Sequence, residues 1–186
     1  FRYPLAGEFA MRSHVVGDIR IPSDWGLEIG VLSEVRRNYS NRVIAQVDIA
    51  DNYDHKHQIV SADDTSRGLS RMSVDISKAI FRKLATDGEI FSAEKIRTVK
   101  ATYFREALDR IDRYYNDALM NGLTLDRHAE EATVELFAKN IMVAGETYLT
   151  NPMETPFLPS WNRVNAASPD FLTRYAEAVR LDNACD

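Results

Sequence analysis

A stretch at 48–58, Asp48-Ile49-Ala50-Asp51-Asn52-Tyr53-Asp54-His55-Lys56-His57-Gln58, gathers three Asp and two His directly after the apolar run Val43-Ile44-Ala45-Gln46-Val47. Carboxylate oxygens and imidazole nitrogens at the carboxyl end of a strand are the ligands that a divalent cation bound to a phosphate requires. Lys56 and His57 add charge-assisted donors suited to a diphosphate or a phosphate ester. Upstream, the turn Ile21-Pro22-Ser23-Asp24-Trp25-Gly26 delivers Glu28 into the otherwise apolar Leu27-Glu28-Ile29-Gly30-Val31-Leu32. An ionised carboxylate in apolar surroundings is costly unless something pairs with it. Glu28 is therefore a candidate for chemistry, with a structural ion pair to an arginine as the plain alternative.

The elements that must position these groups are short strands and many helices. A strand over 1–5 opens the chain, and a helix over 7–16 follows with Phe9, Ala10 and Val15 inward; Glu8 then sits in a helix first turn, where the dipole favours an acid. Residues 22–25 turn the chain, a helix runs from 27 toward 38, and a strand over 42–49 feeds the acidic and histidine loop. Beyond a polar linker at 61–66, Leu69, Met72, Ile76, Ile80 and Leu84 recur at spacings of three and four, as a core-facing helix requires. Asp87-Gly88 stops that helix, Gly supplying the turn. Ser92 caps a long helix to about 120, with Ile96, Val99, Tyr103, Ala107, Ile111, Tyr114 and Ala118 on one face, and Asn121-Gly122 ends it. Thr124 is the next expected cap, before a stripe of Val134, Phe137, Ile141 and Ala144. Residues 151–163 hold three Pro and no period, so they form an ordered loop packed by Phe157, Leu158 and Trp161. Ser168-Pro169-Asp170 starts a last helix with Phe171, Leu172, Tyr175 and Val179.

Four segments in order, Pro4-Leu5-Ala6-Gly7-Glu8-Phe9-Ala10, Asp24-Trp25-Gly26-Leu27-Glu28-Ile29-Gly30, Ala45-Gln46-Val47-Asp48 and Asn151-Pro152-Met153-Glu154-Thr155-Pro156-Phe157, resemble the glucosyl-3-phosphoglycerate synthases, retaining GT-A glycosyltransferases. The likeness covers the C-terminal half of that family. Its nucleotide-binding half ends in an Asp-x-Asp metal motif, and no Asp-x-Asp occurs in this sequence. Together with a start at Phe1, this gives the expectation of a piece of such an enzyme, inactive by itself.

The resemblance implies an α/β fold class: the C-terminal part of a GT-A enzyme, with a few short strands followed by a predominantly α-helical region. It divides the chain into an acceptor and metal side at 1–60 and a helical region at 61–186. Glu28 falls at the sugar site, where it accepts hydrogen bonds from hydroxyls or stabilises positive charge at the anomeric carbon. His55 matches the histidine that shares Mg2+ or Mn2+ with the Asp-x-Asp acid, with His57 as the alternative. Gly7, Trp25, Gly26, Lys56 and His57 fall on substrate-binding positions; Trp25 can floor a sugar ring or simply be core. The implied partners are a nucleotide-sugar donor (UDP-glucose), a 3-phosphoglycerate acceptor, the upstream nucleotide-binding half and a second copy of the chain.

Composition bounds the alternatives. In 186 residues there is room for one respectable core, and 45% hydrophobic with 27% charged residues is ordinary for a globular protein. A net charge of −5 leaves no basic footprint for nucleic acid. No apolar run approaches the roughly 20 residues needed to span a bilayer. The lone Cys185 cannot form an internal disulfide, and cytoplasmic residence is expected. Two other functions fit the same residues: a non-catalytic helical dimerisation module, and a mannosyl-transferring relative of the same fold.

Overall fold

The computed structural model describes residues 8–49 and 68–184. Their order is α1 (Ser13–Asp18), α2 (Leu27–Asn38), a 3-10 turn (Asn41–Val43), α3 (Gly68–Thr86), α4 (Ala93–Met120), α5 (Arg127–Thr150), α6 (Trp161–Ala167) and α7 (Phe171–Asp182). The described residues are thus predominantly helical, as expected for the later chain. They contain no strand, only an isolated antiparallel bridge between Ile21 and Leu158.

The chain separates into two compact units. One comprises Phe1–Ser23, Leu27–Gln46 and Pro156–Asp186; the other comprises Asp24–Gly26 and Val47–Thr155. In the second unit α5 packs against both α3 and α4. Its core is Phe81, Ile96, Ile141 and Ala144, ringed by Val74, Phe91, Val99, Tyr103, Met142 and Tyr148. Phe81, Phe91 and Tyr148 meet at ring separations of 5.1 to 6.0 Å, with Phe91 edge-on to Tyr148. Such tilted contacts suit the aromatic quadrupole. Gly145 is what lets α4 approach α5: a Cβ there would stand 2.4 Å from Ile96 Cγ2.

Helix ends follow local chemistry. Ser92 Oγ accepts from Lys95 N–H to cap α4, and Gly122 closes it with a φ of 68°. Gly88, with a φ of 97°, follows the end of α3 as expected. The cap of α5 is Asp126, which accepts from Ala129 N–H, in place of the expected Thr124. His128 is exposed in that first turn.

The first unit has less core. Ile19 and Val31 are its buried apolar residues among those described, and α6 packs between α1 and α7. Trp161, Phe171 and Tyr175 form a ring cluster. The expected loop at 151–163 gives way at Trp161 to α6, capped by Ser160 Oγ on Arg163 N–H.

Three other expectations change. The helix expected over 7–16 begins only at Ser13, and Phe9, expected inward, is exposed. The strand expected over 42–49 is a 3-10 turn followed by irregular chain, and Val43, Val47 and Ile49 are too exposed for the apolar strand expected there. The inward stripe of α3 is also misplaced, since Ile80 and Leu84 are exposed while Ser70, Asp75, Lys78, Ala79, Phe81 and Arg82 are buried. The strand expected over 1–5 and the loop at 50–58 lie outside the described residues, as does the linker at 61–66.

Candidate functional site

Residues 23–26 turn, one position later than the expected 22–25, and a single carboxylate organises the turn. Asp24 Oδ1 accepts the Gly26 N–H at 2.9 Å, the side-chain mimic of a backbone turn that Asp favours. Asp24 Oδ2 accepts from Arg82 Nη2 on α3, also at 2.9 Å. Both side chains are only 8% exposed. Gly26 is buried, whereas Trp25 keeps 44% of its surface in solvent.

One turn earlier on α3, Lys78 Nζ lies 3.1 Å from Asp75 Oδ1 and 3.1 Å from Glu154 Oε2. Glu154 follows Asn151, whose carbonyl accepts the Glu154 N–H at 3.1 Å. Positions four apart share a helix face. Two segments far apart in sequence, the Asp24 turn and the Glu154 turn, are therefore held from successive turns of one helix by two cations. Burial opposes the charge on Lys78, but hydrogen bonds to Asp75 and Glu154 outweigh it and raise its pKa above the ordinary lysine value. The surroundings thus favour the charged ammonium form. Beneath this column, Asn140 Nδ2 donates to Ser73 Oγ at 2.7 Å, and Ser70 Oγ donates to Asn140 Oδ1 at 3.2 Å. Asn140 and Ser70 are completely buried, so the polar seam between α3 and α5 needs these bonds.

Glu28 lies in the first turn of α2, partly buried, where the helix dipole favours an acid. Gly30 follows on the same helix because a Cβ there would stand 2.3 Å from Pro22 Cδ. Farther along, Glu34 is buried, with Arg20 Nε 3.9 Å from its carboxylate. Glu34 is thus a buried acid of α2 that meets an arginine.

Of the residues singled out from sequence, the described part contains Trp25, Gly26 and Glu28. Gly7, His55, Lys56 and His57 lie outside it. Among the described residues no group of three or more His, Cys, Asp or Glu is placed to hold a metal ion. Sequence reasoning missed Arg82, Lys78 and the pairing roles of Asp24 and Glu154. The available signal was Asp75, Lys78 and Arg82 at spacings of three and four inside an otherwise apolar-striped helix.

The chain is 43% identical over all 186 of its residues to a glucosyl-3-phosphoglycerate synthase of Persephonella marina, covering 46% of that protein. It is also 43% identical over 184 residues, 98% of its length, to a glucosyl-3-phosphoglycerate synthase of Methanococcoides burtonii, covering 45% of it. The resemblance read from the four motif segments thus extends along the whole chain, which spans slightly less than half the length of these curated relatives. No protein-family model matches the chain, and no solved structure does. Among the described residues no helix is long and apolar enough to cross a membrane.

Proposed function

We propose that the chain is part of a retaining glycosyltransferase that moves glucose from a nucleotide-diphosphate sugar, UDP-glucose, to the 2-hydroxyl of 3-phosphoglycerate. The observation that carries this reading is the 43% identity along the entire chain to the Persephonella marina synthase. Residues 1–60 supply the acceptor and metal side and residues 61–186 the helical support. Glu28 accepts hydrogen bonds from the sugar and offsets positive charge developing at the anomeric carbon, an electrostatic role a carboxylate fills well. Trp25 and Gly26 line the sugar, the indole offering an apolar face to ring C–H groups. Gly7, Lys56 and His57 meet substrate oxygens, the two cationic side chains by charge-assisted bonds to phosphate. His55, or His57 in its place, would ligate Mg2+ or Mn2+, which would supply positive charge to the diphosphate. No described residues form such a ligand set. A nucleotide-binding half and a second copy of the chain complete the enzyme in the cytoplasm.

The test is transfer from UDP-glucose to 3-phosphoglycerate, measured for this chain alone and with the nucleotide-binding half of a relative supplied. Turnover is expected only in the second case. Turnover by the chain alone overturns the division of labour, and none in the presence of a half shown to bind the chain and UDP-glucose overturns the activity.

A further inference from the structure

Asp24 is gripped from two directions. Its Oδ1 takes the Gly26 N–H from within the turn, and its Oδ2 takes Arg82 Nη2 from α3, each at 2.9 Å. A turn closed only by its own side chain opens readily, because few contacts resist local unfolding. A guanidinium on the second oxygen fixes the carboxylate plane and, through it, the backbone of residues 24–26.

The pair is poorly explained as a stability device. Arg82 Nε is buried and has no hydrogen-bond partner among the described residues. An unsatisfied buried donor costs stability, and a buried ion pair is often no better than apolar packing of the same volume. What the pair supplies is orientation. Trp25, between the two anchored residues, stays 44% exposed on a turn whose neighbours are held. Lys78 restrains the Glu154 turn in the same way from one helical turn earlier.

We propose that Arg82 is a positioning residue: through Asp24 it fixes the Trp25 indole and the Gly26 backbone in the orientation that receives the sugar. The proposal rests on the reading of Trp25 and Gly26 as substrate-binding. Arg82 touches no substrate itself. Its effect is to spare the turn the ordering that ligand binding would otherwise have to impose.

In a Trp161→Phe background Trp25 is the sole tryptophan, since the sequence has two. Acrylamide quenching and the anisotropy decay of Trp25 then report the turn alone. Arg82→Met is expected to raise quenching and add a fast nanosecond component to the decay, with far-UV dichroism unchanged. Pairing it with Asp24→Asn removes the stranded carboxylate but keeps an oxygen for the Gly26 N–H. In that double variant the melting temperature should recover while Trp25 stays loose. Should Arg82→Met fail to fold, Arg82→Lys and the double variant carry the same comparison, the lysine form showing intermediate order. Unchanged Trp25 quenching and decay in the folded variants overturns the proposal. So does recovery of Trp25 order together with stability in the double variant, since a merely structural ion pair behaves in that way. None of these readouts needs sugar transfer. An intact clamp in an active enzyme whose Trp25 gains no protection from UDP-glucose or 3-phosphoglycerate would sink the substrate role of Trp25 and leave the clamp standing.

Discussion

Lys78 Nζ donates to Glu154 Oε2 at 3.1 Å across 76 positions of sequence, and the same ammonium sits 3.1 Å from Asp75. The two acids differ in environment: the Asp75 side chain is 10% exposed and that of Glu154 is 46% exposed. Losing the lysine therefore strands the buried Asp75 carboxylate, whereas losing Glu154 removes a half-exposed acid and leaves the buried Lys78 paired with Asp75.

Lys78→Met should cost about 3 kcal/mol, the low end for breaking a buried pair, because Arg71 remains 3.7 Å from Asp75. Glu154→Gln should cost less than about 1 kcal/mol, because the lost acid is half exposed and Lys78 keeps Asp75. Urea unfolding of both variants decides the matter: equal losses would show that Asp75 does not depend on Lys78.

The same contact predicts a pH dependence. The Lys78 pKa is raised above 10.5 in the folded chain. A base whose folded pKa is raised contributes stability that is fully present below its unfolded value and disappears as pH climbs through the folded one. The wild type should lose stability on the alkaline side, from about pH 10 upward, by more than Lys78→Met does. Tyr103, raised by burial, and Tyr39, raised by burial and by Asp18, act in the same direction in both proteins and cancel in the difference. Melting curves collected from pH 8 to 11 give the comparison, and parallel losses would contradict it.

Gly145→Ala tests the α4 and α5 contact. Alanine normally favours a helix interior over glycine by about 1 kcal/mol. Here its Cβ would fall 2.4 Å from Ile96 Cγ2 in a fully buried site, and overpacking costs about 1–3 kcal/mol. Net destabilisation is expected, and the penalty of Gly145→Ala should shrink in an Ile96→Ala background, which removes both Cγ atoms. A stabilised Gly145→Ala would mean the helices separate freely.

Glu28→Gln tests the chemistry. In an assembled, active enzyme it should lower kcat about 100-fold or more, the usual loss when one electrostatic partner of the transition state is removed. The melting temperature should barely move, since Glu28 is only partly buried. Full activity in a folded Glu28→Gln enzyme would remove Glu28 from the site.

Local signals were read well from the sequence because their physics is local. Ser92 opening α4, Gly88 and Gly122 in left-handed backbone, and the start of α2 at Leu27 each depend on a few adjacent residues. So does the turn at 23–26, whose Asp24 finds Gly26 two positions away. The four motif segments likewise carried the resemblance that the whole-length identity to two synthases bears out.

Tertiary structure decided what the helices bury and whether a strand exists. Periodicity marked Ile80 and Leu84 of α3 as core, yet the buried residues nearby are Lys78, Ala79, Phe81 and Arg82. A cation can be buried only if an acid arrives to meet it, and Asp24 and Glu154 come from 58 and 76 positions away. The run from Val43 to Val47 has strand composition but forms no ladder among the described residues. Caps and turns close on themselves and are written in the chain. Burial of charge and pairing of strands are agreements between distant segments, and only the fold brings the two parties together.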